Sequence, residues 1–311
     1  MYSFSQLRKG LAHPVLVGRE LNRLYFRRRG DAGYNTKGID VFEEDWDNLI
    51  VLDACRYDLF RDRNTLGGGL ESRISRGSST RDFLRGNFAD RMFPDTVYVT
   101  ANPVPYHYRE EIRAEFHDVI HVWKEEGWDE ELGTVRPETT TEYARRAAEE
   151  YPNKRLIVHY IQPHYPFLDA SLEFDKGHLA DPDVEDPDPN FWRRRLLGDL
   201  DVSTETLWTA YAENLDAVLP HVTDLLSDLT GKTVVTSDHG NVFGERAFPF
   251  PIREWGHPSG VYIPDLVTVP WLICDGDGER KEITAGDTTT DLSEVDDGTV
   301  AERLNSLGYV E

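Results

Sequence analysis

Four short runs of apolar residues punctuate the chain: Leu49-Ile50-Val51-Leu52, Val97-Tyr98-Val99-Thr100, Leu156-Ile157-Val158-His159-Tyr160-Ile161 and Thr233-Val234-Val235-Thr236. Each is short, rich in β-branched or aromatic residues and closed by polar positions, the pattern of strands buried on both faces. Between them the spacing changes to that of a helix, over Thr139 to Tyr151 and Leu207 to Leu229. Pro137 precedes the first of these and Gly231 follows the second, as helix starts and stops require. The alternation predicts an α/β fold with a mostly parallel central sheet flanked by helices on both faces. In such sheets ligands bind beyond the carboxyl ends of the strands. That is where chemistry is expected.

The pattern divides the chain into three. Residues 1–45 form an arm in which Arg8, Lys9, Arg19, Arg23, Arg27, Arg28 and Arg29 meet only Glu20 before Asp31. Leu11, Val15, Leu21 and Leu24 give it a weak amphipathic helix, expected to dock on the acidic body or, alternatively, to touch a membrane surface or partner. Residues 46–275 hold the sheet. Residues 276–311 are a polar, acidic connector followed by a closing helix, Val300 to Leu307, before Gly308. The Pro/Asp-rich stretch 181–190 reads as an exposed loop.

Composition narrows the partners. The 311 residues carry 57 acidic against 34 basic side chains, a formal charge of -23. Such a surface repels nucleic-acid phosphates, so no nucleic acid partner is expected. Only seven of the basic residues are lysines, a balance that matches proteins of salt-rich cytoplasm and suggests a halophilic source. No apolar run approaches the roughly 18 residues of a membrane span. No continuous apolar segment follows Met1 as in a secretory signal, so a cytoplasmic enzyme is expected. Cys55 and Cys274 are read as buried thiols, because two cysteines alone make neither a disulfide framework nor a zinc cluster.

The strand ends carry the candidate chemistry. Asp53 directly follows the first apolar run, placed either to hold a cation or to cap the helix that begins near Arg56. Asp238-His239-Gly240 follows the last run, where both side chains can turn toward one ion because glycine permits a sharp bend. Arg76-Gly77-Ser78-Ser79-Thr80-Arg81-Asp82 places hydroxyls at a helix start, which serves a nucleophile over a positive helix end or simple capping. His159 lies within a strand and is read as a satisfied core histidine. His164, in the proline-stiffened loop Gln162-Pro163-His164-Tyr165-Pro166, is the better candidate for an anion or metal contact. Gly256-His257-Pro258 presents a second loop histidine.

In this order, Leu52-Asp53-Ala54-Cys55-Arg56-Tyr57-Asp58, the hydroxyl-rich helix start, Pro163-His164-Tyr165-Pro166, Thr236-Ser237-Asp238-His239-Gly240 and Gly256-His257-Pro258 together resemble the alkaline phosphatase superfamily. Within it they are similar to the sulfatase-like branch of haloarchaeal type. The closing Glu302-Arg303-Leu304-Asn305-Ser306-Leu307-Gly308-Tyr309 is similar to the ends of sulfatase-like chains. The resemblance implies Asp53, Asp238 and His239 as metal ligands. It makes Thr80 the nucleophile bridging metal and substrate, with Ser79 the runner-up, and it sets His164 and His257 against the transferred group or a second metal. Arg81, beside the nucleophile, is positioned to steady that group's oxygens.

Two departures from the family pattern narrow the chemistry that the resemblance implies. The Cys-x-Pro-x-Arg of true sulfatases is missing from Ser78-Ser79-Thr80-Arg81-Asp82, which argues against an aldehyde-hydrate nucleophile. Ala54 stands where paired aspartates are often found, and no carboxylate flanks His164 before Asp169, so one divalent metal ion is favoured over two. Mn²⁺, Zn²⁺, Mg²⁺ and Ca²⁺ all remain open. The implied activity is metal-dependent hydrolysis of a phosphate or sulfate ester through a hydroxyl nucleophile. The alternatives are transfer of a phospho-headgroup to a glycan or lipid, with the basic arm as a peripheral membrane contact, or a non-catalytic anion-binding role.

Overall fold

A computed structural model describes residues 13–29, 33–168, 191–275, 279–288 and 296–309. Seven strands form the central sheet: β1 (Asn48–Leu52), β2 (Gly69–Ile74), β3 (Met92–Thr100), β4 (Glu115–His121), β7 (Arg155–Tyr160), β8 (Thr233–Thr236) and β11 (Thr268–Cys274). They lie in the order β2-β11-β8-β1-β7-β3-β4. Short pairs, β5 (Trp128–Asp129) with β6 (Thr134–Val135) and β9 (Val242–Arg246) with β10 (Arg253–Gly256), form separate ribbons. The helices longer than one turn are α1 (Pro14–Arg28), α2 (Tyr57–Arg63), α3 (Thr80–Asn87), α4 (Pro137–Glu150), α5 (Phe191–Leu197), α6 (Thr204–Asp228) and α7 (Asp297–Ser306).

The four apolar runs are four of the five inner strands, and β1 is buried along its whole length. β8, β1, β7, β3 and β4 run parallel. The exception is β11, antiparallel to both β8 and β2. Strands β2, β4 and β11 were not among the runs read as strands. β2 reads Gly-Leu-Glu-Ser-Arg-Ile and is largely exposed at the sheet's edge, whereas β11 is an inner strand whose apolar run is interrupted by Pro270.

The described flanking segments pack onto the body. Helix α1 docks through Arg19 on buried Glu254 (2.9 Å from Nε), Asn22 on Phe250, and Gly18 against Ile252. Residues 33–45, grouped with the arm by composition, pack into the body, where Val41 is buried beside Trp46. Residues 279–288 of the expected connector form an anchored strap, with Arg280 on Asp47 and Lys281 on Asn48. Cys55 is buried as expected, whereas Cys274 is only partly covered. Arg8, Lys9, Leu11, Asp31, Asp169 and the 181–190 stretch lie outside the described residues.

Candidate metal centre and active site

Asp53 emerges from β1 into a tight turn. Its own N–H still reaches Tyr160 O at 3.2 Å, continuing the ladder, and the next residue, Ala54, is left-handed at φ 58°. A non-glycine residue there is strained and persists only when its surroundings hold it. Two contacts do so: Asp238 Oδ1 accepts the Ala54 N–H at 3.0 Å, and the Tyr211 hydroxyl donates to the Ala54 carbonyl. The turn thus locks the ends of β1 and β8 together.

Asp238 leaves β8 with the same economy. Its Oδ1 accepts from the N–H groups of Ala54 and His239, the latter at 2.9 Å, while Oδ2 has no hydrogen-bond partner. Gly240 is required by space, since a Cβ there would stand 2.1 Å from Asp265 O. His239 Nδ1 lies 2.7 Å from Gly240 O, which fixes its proton on Nδ1 and turns the Nε2 lone pair inward. Asp53 mirrors Asp238: Oδ2 accepts from Asn102 Nδ2 (2.5 Å) and the Tyr309 hydroxyl (2.6 Å), and Oδ1 has no partner.

Three open atoms therefore face one another. A tetrahedral ion with bonds of about 2.1 Å spaces its ligands about 3.4 Å apart. His239 Nε2 lies 3.6 Å from Asp53 Oδ1 and 3.3 Å from Asp238 Oδ2, and the three ligating atoms fall within 4.8 Å of one another. Among the described residues, the basic groups within ion-pair distance of the two carboxylates are His159 and His239. Burial lowers both imidazoles to about 4 and leaves them neutral. Burial likewise raises both carboxyl groups, and for Asp53 the neighbouring Asp238 charge adds to it. Two buried carboxylates with no compensating cation and two orphaned oxygens fit a divalent ion.

Thr80 opens α3. Ser79 is the N-cap, its hydroxyl accepting the Asp82 N–H, which separates the two hydroxyls the sequence left in competition. Thr80 Oγ1 instead stands 3.4 Å from both His239 Nε2 and the Tyr309 hydroxyl. Arg81 pairs with Glu111 and covers the Tyr108 ring at 4.4 Å.

His164 and His257 meet, Nε2 to Nε2, at 2.8 Å. His164 Nδ1 is bound to Tyr165 O, so its Nε2 is an acceptor and His257 Nε2 carries the shared proton. His257 Nδ1 is then open, with no partner. The His257 ring also lies 4.8 Å from that of His239. Desolvation holds both loop imidazoles well below their usual range, with neighbouring histidines adding to the effect. Buried Asp82 ties the loop to α3: it accepts from Ser78 (3.0 Å), Ser259 (2.6 Å) and the Gly260 N–H (2.9 Å). Gly256, left-handed at φ 76°, lets the loop leave β10, and a Cβ there would meet Trp192 at 2.6 Å.

Four contributors escaped the sequence reading: Asn102, Tyr309, Asp82 and His159. Asn102 follows β3 as Asp53 follows β1, so the strand-end rule could have found it. Tyr309 and Asp82 are brought in by tertiary structure alone. His159 is not the satisfied core histidine expected. Nδ1 meets the Tyr98 hydroxyl at 2.8 Å, but Nε2 is orphaned, 3.6 Å from Asp53 Oδ2 and 3.9 Å from Asp238 Oδ2.

No family model and no curated protein matches the chain. Solved structures with a related arrangement include the integral membrane lipooligosaccharide phosphoethanolamine transferase A from Neisseria meningitidis, at 13% identity and a TM-score of 0.43. That match covers 72% of this chain and 47% of the transferase, so this chain spans about half its length. A 2-O GAG sulfatase matches at 14% identity and TM-score 0.44, over 75% of this chain and 64% of the sulfatase. A protein of the alkaline phosphatase superfamily from Vibrio parahaemolyticus matches at 12% and 0.32, over 79% and 62%. Likeness this distant does not carry an activity across, so what the site can do has to follow from its own residues.

Proposed function

We propose that the chain is a metal-dependent enzyme that transfers the phosphoryl or sulfuryl group of an ester to Thr80 and then to water. The observation that carries this reading is a threonine hydroxyl at a helix start, 3.4 Å from His239 Nε2, beside two buried carboxylates that no cation among the described residues neutralises. Asp53 Oδ1, Asp238 Oδ2 and His239 Nε2 would hold the ion. A bound divalent cation would supply Lewis acidity, lowering the pKa of the adjacent hydroxyl and screening the ester's oxygens.

The protein's own groups do the rest. Thr80 Oγ1 forms the new bond to phosphorus or sulfur while the ester oxygen departs. The His164–His257 pair holds one shareable proton and one vacant nitrogen, so it can take the Thr80 hydroxyl proton and give a proton to the leaving oxygen. In the second step it takes a proton from the water that releases the group and returns one to Thr80 Oγ1. The shared N–H also serves as a donor to the transferred group's oxygens. The test is turnover of chromogenic phosphomonoesters, phosphodiesters and sulfate esters, with Mn²⁺, Zn²⁺, Mg²⁺ or Ca²⁺ in molar salt. Turnover of at least one ester, dependent on metal and on Thr80, is expected. Turnover that survives Thr80→Ala would contradict the reading.

A second reading, transfer of the group to a lipid or glycan acceptor, is favoured by one surface. Val17 (46% exposed), Leu21 (38%), Phe248 (57%) and Phe250 (43%) are four of the six exposed large apolar side chains among the described residues. They gather where α1 meets the β9–β10 ribbon: Tyr25 packs edge-on to Phe248 at 5.5 Å, and Asn22 binds the Phe250 backbone. Exposed Arg27, Arg28 and Arg29 border them. On so acidic a protein, aromatic side chains beside arginines suit an anionic lipid surface. Under this reading the protein cosediments with phosphatidylglycerol vesicles, and a Phe248→Ser, Phe250→Ser variant does not. Failure of the native chain to bind would leave hydrolysis alone.

A further inference from the structure

We infer that Tyr309 is a positioning residue for the ion: with Asn102 it saturates one oxygen of Asp53 and so presents the other, in a fixed direction, as a ligand. The inference rests on the metal-centre reading above and deepens it.

The hydrogen-bond accounting around Asp53 Oδ2 closes. Asn102 Oδ1 accepts the Val104 N–H at 2.8 Å, which settles the amide's orientation and leaves Nδ2 with two hydrogens. One goes to Asp53 Oδ2 at 2.5 Å and the other to the Tyr309 oxygen at 2.8 Å. The single Tyr309 hydroxyl hydrogen goes to the same Asp53 Oδ2 at 2.6 Å. Every donor in this triangle is used, while Asp53 Oδ1 has none. A carboxylate free to rotate offers either oxygen; this one cannot. The Tyr309 oxygen also lies 3.4 Å from Thr80 Oγ1, and its ring stacks on His164 at 4.8 Å and 7°. One side chain thus touches a ligand, the nucleophile and the proton-carrying pair.

Its delivery is built into the closing helix. The Gly308 N–H bonds to Asn305 O and the Tyr309 N–H to Leu304 O, both at 2.9 Å, with Gly308 left-handed at φ 73°. This paired termination reverses the chain just past α7. Val300, Leu304 and Leu307 are buried against the core, and Arg303 pairs with Glu130 at 2.7 Å over the Trp128 ring. The helix is therefore held from a distance by apolar packing, and its last turn aims the tyrosine.

The experiment is a calorimetric titration of the full chain with Mn²⁺ alone, for the native protein, Tyr309→Phe, Gly308→Ala and Asp53→Asn. Tyr309→Phe keeps the ring on His164 and removes only the hydroxyl. It is expected to weaken Mn²⁺ binding by about tenfold or more, as loss of a group that orients a ligand does, while the ion-free protein still unfolds cooperatively, with a melting temperature lowered only by the loss of buried hydrogen bonds. Gly308→Ala, strained at a left-handed position, weakens binding in the same direction. Mn²⁺ affinity unchanged in Tyr309→Phe, with Asp53→Asn abolishing it, overturns the inference and leaves the metal centre standing. A native protein that binds no Mn²⁺ overturns both.

Discussion

Strand β1 carries a buried aspartate near each end, and the two live in opposite electrostatic worlds. Asp47, just before the strand, is 2% exposed, and Asp53, just after it, is fully buried. Asp47 receives the Arg280 guanidinium at 2.5 Å and the Lys232 N–H at 2.8 Å. Burial pushes its carboxyl up, but hydrogen bonds from Arg280 and Lys232 outweigh that and hold it below the usual range. Asp53 has neutral donors on one oxygen, nothing on the other and a second carboxylate alongside, so its carboxyl is driven well up. The N-terminal end of the sheet is a finished ion pair that serves folding. The C-terminal end is an unfinished one, and a buried carboxylate left uncompensated marks where a ligand belongs.

The largest expected effect is at the unfinished end. Thr80→Ala should lower turnover by about 10³-fold or more, the scale of removing a nucleophile, with Mn²⁺ affinity little changed by calorimetry. Ser79→Ala, which removes a cap, should cost stability and leave most turnover in place. Next in size, the His164→Ala, His257→Ala double variant should reduce turnover by about 10²- to 10⁴-fold, the range of general acid–base contributions. Undiminished rates would remove the pair from the chemistry.

Smaller, but sharper for the comparison, are paired neutralisations of the two aspartates, followed by thermal melting of the ion-free proteins. Asp47→Asn leaves Arg280 without its partner and should destabilise by about 1–3 kcal/mol while sparing metal binding. Because Asp47's folded pKa is depressed, this stability is present above the unfolded carboxylate value and is lost as pH falls through the folded one. Asp53→Asn should do the reverse, raising the ion-free melting temperature at neutral pH and abolishing metal binding, because it removes one of two buried carboxyl groups whose ionised forms repel each other. If both variants melt lower and both bind metal, the two ends do not differ as described.

The smallest effect is in protons. Raised carboxyl groups at Asp53 and Asp238 hold protons to higher pH than ordinary carboxylates, so an entering ion must displace them. Mn²⁺ affinity should rise with pH, and titrations in buffers of different ionisation enthalpy should show net proton release. His239, near 4, contributes nothing to that release above pH 6.

What the sequence made legible was the part governed by local pattern. Four of the five inner strands, the helices read over Thr139 to Tyr151 and Leu207 to Leu229, and the polar residues ending β1 and β8 all follow from local pattern and the rule that chemistry lies at strand ends. Long-range partners were not legible. Ser79 and Thr80 are both hydroxyls at a helix start, and only the fold shows that one caps while the other faces His239. Arg81 has the same address as a substrate clamp, yet Glu111, 30 residues on, engages it. Tyr309 lies 256 positions from Asp53, and no spacing links them. His159 looked like any core histidine, because the carboxylates beside its Nε2 come from two other strands.

The most direct test is anomalous diffraction from crystals grown with Mn²⁺. One peak is expected between β1 and β8, with Asp53 Oδ1, Asp238 Oδ2 and His239 Nε2 each about 2.0–2.6 Å away. Data with no peak there, or with the metal held by other residues, would contradict the metal centre proposed for these three side chains.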